Sequence, residues 1–320
     1  MLSEFSLIAR YFTRPTPQAE LGPGDDCALL APSPGMALAI TTDMLVEGTH
    51  FLPGTDPYLL GWKTLAVNLS DLAAMGAQPR WALLALSLPE AEETWLAAFS
   101  GGLFACAGRY GVDLIGGDTT RGPRTLSITA LGETPCGQAL RRDGARAGDE
   151  LWVSGQPGRA ALGLAQLLGQ TRLPAGLERL CLSALQQPLP RVELGLALRL
   201  EQLAHAAIDI SDGLLADVAH LAERSQRDIA VYLPQLPALP RGVDPALARQ
   251  AQLSGGDDYE LAFTAAPGQQ AAIAALANRL DLPLWRIGRV LADGPGTVRL
   301  LDEKGVAQPI TRQGFDHFGQ

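Results

Sequence analysis

Cysteine is scarce and never paired. Cys27, Cys106, Cys136 and Cys181 are widely spaced, with no Cys-x-x-Cys among them. That argues against structural zinc and against a disulfide framework, and it fits a reducing compartment. Histidine is as sparse: His50, His205, His220 and His317 are too scattered to suggest a transition-metal site. Long apolar runs are missing, none approaching the roughly 20 residues that a membrane span needs. The first ten residues, Met-Leu-Ser-Glu-Phe-Ser-Leu-Ile-Ala-Arg, carry an early Glu and no long apolar stretch, so no signal peptide and no membrane partner are expected, and a cytoplasmic location is. Positive charge is short too. Against 34 Asp and Glu stand 25 Lys and Arg, a net charge of −9. Such a surface repels a phosphate backbone, so no nucleic-acid partner is expected, and an anionic substrate would need cations to hold it.

Common catalytic signatures are also missing. Gly61-Trp62-Lys63-Thr64 lacks the upstream glycine of a phosphate loop, and Gly22-Pro23-Gly24 lacks the rest of a dinucleotide fingerprint. There is no Gly-x-Ser-x-Gly elbow, no His-Glu-x-x-His and no protein-kinase signature.

What the chain has is a large apolar fraction, 47% of 320 residues, and a length that suits two domains of ordinary size or a single large one. Strands are expected at 27–31, 37–42, 81–88, 112–115 and 126–131, with helices at 3–12, 56–75 and 92–110. Asp56-Pro57 is a good helix start and Gly76 and Gly111 are good stops. The polar, Gly-rich stretch Thr134–Gly148 reads as the domain boundary. Beyond it, strands are expected at 150–154, 206–210, 229–233, 259–264, 284–291 and 298–301. Helices are expected at 159–168, 177–186, 191–203, from Ser211 or Asp212 onward, after Asp244-Pro245, and at 269–280.

The recurring feature is acidic punctuation beside apolar elements: Asp26, Thr41-Thr42-Asp43, Asp71, Asp118, Asp209 and Asp212. Hard oxygen donors without imidazole or thiolate neighbours select Mg²⁺, Mn²⁺ or Ca²⁺ over zinc. Each alone is also an ordinary turn or cap residue. If they converge, two carboxylates about 4 Å apart repel by roughly 4 kcal/mol at an effective dielectric near 20, so convergence implies more than one cation. Asn68 and Asp71, three apart on one helix, share a face. A helix start has free N–H groups suited to an anion, and Ser211 and Asp212 there either cap the helix or bring a hydroxyl and a metal-binding carboxylate to a nucleotide phosphate.

Read together, the motifs resemble the thiamine-monophosphate kinase family. They are Gly-Pro-Gly-Asp-Asp-Cys-Ala (22–28), Thr-Thr-Asp-Met-Leu-Val-Glu-Gly-Thr-His (41–50), Asn-Leu-Ser-Asp-Leu-Ala-Ala-Met-Gly (68–76), Gly-Gly-Asp-Thr-Thr-Arg-Gly (116–122), Ile-Asp-Ile-Ser-Asp-Gly-Leu (208–214), Ser-Gly-Gly-Asp-Asp-Tyr-Glu-Leu (254–261) and Gly-Phe-Asp-His-Phe (314–318). They span almost the whole chain in order. Pro23 replaces the family's usual Ile or Val, and Asp257 its usual Glu. The resemblance implies an α/β (α+β) aminoimidazole-ribonucleotide synthetase-like fold in two domains. Residues 1–137 would bind metal and ATP and dimerise through their sheet; residues 138–320 would form an α/β sandwich completing the nucleotide and substrate site. It implies ATP-dependent phosphorylation of thiamine monophosphate to thiamine diphosphate by a homodimer with several Mg²⁺ ions. Asp26, Thr41, Thr42, Asp43, Asp71, Asp118, Asp209 and Asp212 would hold metal; Gly117, Asp118, Arg142 and Ser211 would meet ATP; His50, Glu260 and Phe315 would meet thiamine monophosphate. Because the acceptor is itself a phosphate, largely ionised at neutral pH, direct transfer without a general base is expected. The alternatives are another ATP-dependent synthetase of the superfamily and a non-catalytic cation- or nucleotide-binding module.

Overall fold

Strict alternation of side chains along one long strand fixes the first half of the molecule. The computed structural model describes residues 4–292, 294–310 and 314. These divide into two compact units, residues 4–72 with Ala77–Gln138, and Ala73–Gly76 with the described residues from Ala139 onward.

In the first unit, helix α1 (Glu4–Tyr11) precedes strand β1 (Met36–Val46), helix α2 (Pro57–Ala74), strand β2 (Gln78–Leu88), helix α3 (Glu93–Tyr110), and strands β3 (Asp113–Arg121) and β4 (Thr125–Pro135). The sheet runs β1-β4-β2-β3. β4 is antiparallel to both β1 and β2, and β2 and β3 are parallel, joined by the α3 crossover. Residues opposite one another share a face. Thr41, Asp43 and Leu45 therefore lie with Ala130, Ile128 and Leu126 on one face, where the side chains of β4 are buried. Met36, Leu38, Ile40, Thr42 and Met44 lie on the other face, and its apolar members are 37–62% exposed.

α2 begins as its Asp56-Pro57 start predicts, with Asp56 accepting the Tyr58 N–H at 2.8 Å. α2 and α3 touch backbone to backbone. A Cβ on Gly61 would stand 2.0 Å from the Phe99 carbonyl oxygen, and one on Gly102 1.8 Å from that of Tyr58.

Three expectations are corrected here. β1 does not end at Thr41-Thr42-Asp43 but continues to Val46, because β4 supplies ladder partners as far as Thr125. β3 likewise runs through Gly116-Gly117-Asp118 rather than stopping before it. Residues 27–31 form no strand; their only ladder-like contact is the Leu21–Leu29 bridge. Their alternation is real, since Ala28 and Leu30 pack on Trp81, Ile115 and Leu131, but no strand pairs with them.

The second unit holds β5 (Glu150–Ser154), α4 (Arg159–Leu167), α5 (Ala175–Gln186), α6 (Val192–Leu200), β6 (Ala206–Ile210), α7 (Leu214–Ser225), β7 (Ile229–Tyr232), α8 (Pro245–Ser254), β8 (Glu260–Ala265), α9 (Gln270–Leu280), β9 (Leu284–Val290), β10 (Val298–Leu301) and β11 (Ala307–Gln308). Its sheet runs β11-β10-β7-β9-β5-β8-β6. The apolar stripe of α7, Leu214, Leu215, Val218, Leu221 and Ala222, packs with Ile208, Ile210, Val153 and Ala262 in a fully buried core. α6 stops at Leu200 rather than 203, because Gln202 takes a left-handed conformation. No helix among the described residues is long and apolar enough to cross a membrane.

Candidate active site

The two-residue period of β1 sorts the candidate metal ligands of the first unit. Thr41 and Asp43 face α2. The Thr41 hydroxyl donates to Asp71 Oδ2 at 2.5 Å, and the Asp43 N–H donates to Asn68 Oδ1 at 3.0 Å. One turn of α2 thus meets one stretch of β1, as the three-residue spacing of Asn68 and Asp71 predicts. Thr42 points the other way, donating to the Ile128 carbonyl and accepting from Thr129.

Asp118 is opposite Ala85 in the β2–β3 ladder, and Ala85 is opposite Ser127. That places Asp118 on the open face with Thr42, but three strands away, about 14 Å at ordinary strand spacing. Its neighbour Gly117 is obligatory: φ is 151°, and a Cβ would fall 1.8 Å from the Leu84 carbonyl oxygen. Asp26 sits in an exposed turn, its N–H bonded to Asp25. His50 accepts the Val46 N–H on Nδ1 at 3.0 Å.

In the second unit the C-terminal ends of β5 and β6 and the start of β8 lie at one edge of the sheet, since β8 is antiparallel to both. Asp209 is buried, 3% exposed, near the end of β6. Ser211, Asp212 and Gly213 form a turn before α7, which starts at Leu214 rather than at Ser211 or Asp212. Their three N–H groups all donate to Asp217 Oδ2, each at 3.1 Å. The amides that the sequence offers to a phosphate are therefore already taken by the helix's own carboxylate. Burial pushes the Asp217 carboxyl up to about 7, with repulsion from Asp212 adding to it and the three amides opposing.

Asp257 and Tyr259 donate their N–H groups to the Ser211 and Ile210 carbonyls, each at 2.8 Å. Asp257 has φ 67°, a conformation Asp adopts more readily than most residues. Glu260 is engaged by Arg191 at 2.7 and 2.5 Å and by the Ser154 hydroxyl at 2.5 Å. Arg142 is exposed, its carbonyl accepting from Ser225. Gly314 lies against the Asp212 turn, its missing Cβ 2.8 Å from the Asp212 carbonyl oxygen. Phe315 lies outside the described residues.

Sequence reasoning missed Asp217, Arg191 and Ser154. Asp217 was signalled only by its place in the first turn of α7; Arg191 and Ser154 are far from Glu260 in the chain and left no signal.

Among the described residues no three or more His, Cys, Asp or Glu are grouped to hold a metal. The donors are nonetheless hard oxygens, and Mg²⁺ needs only one or two carboxylates when waters and phosphates complete its shell. The Thr41–Asp43–Asp71 group fits that requirement.

The chain belongs to the AIR synthase related proteins. The model of that family's N-terminal domain matches residues 24–134, and that of its C-terminal domain matches residues 146–300. Within that class the chain belongs to the thiamine-monophosphate kinase family. It is 47% identical over 324 residues to the thiamine-monophosphate kinase of Salmonella typhimurium, covering 98% of each chain. A solved thiamine-monophosphate kinase from Stenotrophomonas maltophilia is 50% identical, with a TM-score of 0.83 over 94% of this chain and 95% of the other. A structure of AaThiL complexed with AMPPCP and TMP is 32% identical, with a TM-score of 0.77 over 90% and 89%.

Proposed function

We propose that the chain transfers the γ-phosphoryl group of ATP directly to the phosphate of thiamine monophosphate, giving ADP and thiamine diphosphate. The observation that carries this reading is full-length identity of 47% to a kinase of that substrate. The AaThiL complex with AMPPCP, a non-hydrolysable ATP analogue, and TMP supports the same pair of substrates.

The acceptor phosphate has a second pKa near 6, so its attacking oxygen is already ionised at neutral pH. No general base is required of the chain. The chain's own task is electrostatic, because it is itself acidic, at net −9. We assign metal-ligand roles to Asp26, Thr41, Thr42, Asp43, Asp71, Asp118, Asp209 and Asp212, nucleotide contacts to Gly117, Asp118, Arg142 and Ser211, and acceptor contacts to His50, Glu260 and Phe315. Mg²⁺ bound there would neutralise the phosphates and favour in-line geometry. Asn68 holds the β1 backbone at Asp43, and Thr41 orients Asp71. Arg191 and Ser154 hold the Glu260 carboxylate in one orientation.

We assign the open face of β1 to a homodimer. Met36, Leu38, Ile40 and Met44 make a contiguous exposed apolar row, which a second copy of the same strand would cover. Such a copy would also address the open face that carries Thr42 and Asp118.

The test is product formation with purified chain, ATP and Mg²⁺. Thiamine monophosphate is expected to yield ADP and thiamine diphosphate in equal amounts, and other acceptors, thiamine among them, are not. Rapid quenching with γ-labelled ATP and no acceptor is expected to leave the protein unlabelled. Trapped phosphoprotein would replace direct transfer with a covalent route.

A further inference from the structure

The turn that carries Ser211 and Asp212 is anchored by a carboxylate of the helix that follows it. Asp217 sits in the first turn of α7 with 3% exposure. A single oxygen of its carboxylate receives the N–H groups of Ser211, Asp212 and Gly213. The rest of the turn is held from other sides: Asp257 N–H binds the Ser211 carbonyl, and Gly213, at φ 129°, has no room for a Cβ beside Ser254. The amides of this turn and the Ser211 carbonyl are thus engaged within the protein, and the Ser211 hydroxyl and the Asp212 carboxylate are the groups that the assignment above gives to ligands.

We propose that Asp217 is a positioning residue that stands where an anion would otherwise bind, folding the Ser211–Gly213 turn around its own carboxylate so that Asp212 is presented to a divalent cation and Ser211 to the nucleotide. The proposal rests on the assignment of Asp212 and Ser211 made above. It extends that assignment by naming the group that sets their orientation and by stating that phosphate does not take these three amides. Removing the acceptor frees three donors at once, that of Gly213 buried and those of Ser211 and Asp212 partly so. The turn must then reorganise, and Asp212 moves with it.

The experiment uses the full chain with D217A, D217E, D217N and D212N. Three readouts are taken: amide exchange of the 208–216 segment by mass spectrometry, Mn²⁺ binding by electron paramagnetic resonance with a non-hydrolysable ATP analogue present, and the Mg²⁺ concentration for half-maximal activity. In D217A, exchange in the segment is expected to rise about tenfold, the equivalent of one lost hydrogen bond. Mn²⁺ affinity is expected to fall, and half-maximal Mg²⁺ to rise, by about 10–100-fold, the usual effect of removing a group that orients a metal ligand. D217E keeps the charge but moves the oxygen by one methylene, and is expected to lose cation affinity in the same direction. D217N keeps an acceptor of the same shape, and is expected to restore slow exchange and most of the cation affinity.

A folded D217A whose Mn²⁺ affinity and Mg²⁺ requirement stay within about twofold of the parent would overturn the proposal. Should D217A fail to fold, the same result in D217E would overturn it, as would a D217N that exchanges as fast as D217A. D212N separates the two layers. Parental Mn²⁺ binding in D212N would remove the assignment on which the proposal stands. A weakened D212N beside unaffected Asp217 variants would remove only the positioning role.

Discussion

Thr41 and Asp71 are thirty residues apart in sequence and joined by one hydrogen bond, so the orientation of Asp71 depends on a hydroxyl in β1. Under the assignment above, D43N and D71N are each expected to lower turnover by about 10²–10⁴-fold, the range for losing electrostatic stabilisation at a reacting phosphate. Circular dichroism and melting temperature should stay close to the parent. T41V keeps the shape of the side chain while removing the donor, and is expected to raise the Mg²⁺ requirement with a smaller loss of turnover. Steady-state kinetics across a Mg²⁺ series checks all three. At this scale the sequence says little about where side chains point. Thr41, Thr42 and Asp43 read as one polar cluster at a strand end, whereas continued pairing with β4 sends Thr42 to the opposite face. Asp217 escaped notice because a lone Asp in a helix is ordinarily a solvent-facing residue, and only the tertiary fold shows three amides turning back towards it.

Elements were legible where a local rule ends them and obscure where a neighbour extends them. α3 stops at Gly111, which takes φ 66°, as its glycine predicts. β3 passes through two glycines because β2 supplies the partner strand, which no local pattern reveals. Two buried carboxylates pin elements in the second unit and give opposite pH signatures. Asp228, fully buried, accepts the Gly296 and Thr297 N–H groups, the Thr297 hydroxyl and Arg299. Burial alone would raise its carboxyl, but these partners outweigh it and hold the carboxyl below the usual range. With the folded value depressed, its stabilisation is present above pH 4 and is lost as pH falls. D228N is therefore expected to cost about 1.5–3 kcal/mol near pH 7, as for losing hydrogen bonds to a charged acceptor, and less in acid. Asp258 is the converse. It accepts the Gly158 and Ala160 N–H groups at the start of α4, yet burial, opposed by those amides and helped by Glu260 and Asp257, pushes its carboxyl up to about 8. The folded chain then holds a proton that the unfolded chain has released, so stability falls as pH rises from about 4 towards 8. D258N cannot ionise, and its melting temperature is expected to change less than the parent's over that interval. Thermal denaturation at stepped pH reads both effects.

For the molecule as a whole, the exposed apolar row of β1 is the feature that a solitary chain would have least reason to keep. Ile40 is 62% exposed and Met44 55%. I40K places a charge in the middle of that row and is expected to shift sedimentation from dimer to monomer. Activity should fall with it if a second copy supplies part of the site, and a dimer that persists in I40K would move the interface elsewhere. The step from the first compact unit to the second falls at Gln138–Ala139, inside the polar Thr134–Gly148 stretch. The return of Ala73–Gly76 to the second unit was not foreshadowed, since nothing in an unbroken helical pattern marks where its tail changes company.

Under the roles and the dimer proposed above, the alternation along β1 would make reaction and assembly hostages of one another. A single residue inserted or deleted between Met36 and Ile40 would slip the downstream half of the strand by one place, turning Thr41 and Asp43 outward and Thr42 and Met44 inward. One frame-preserving lesion would then abolish the carboxylate arrangement and roughen the seam between copies together. Length variation among relatives should accordingly avoid this strand and collect in the loops at either end.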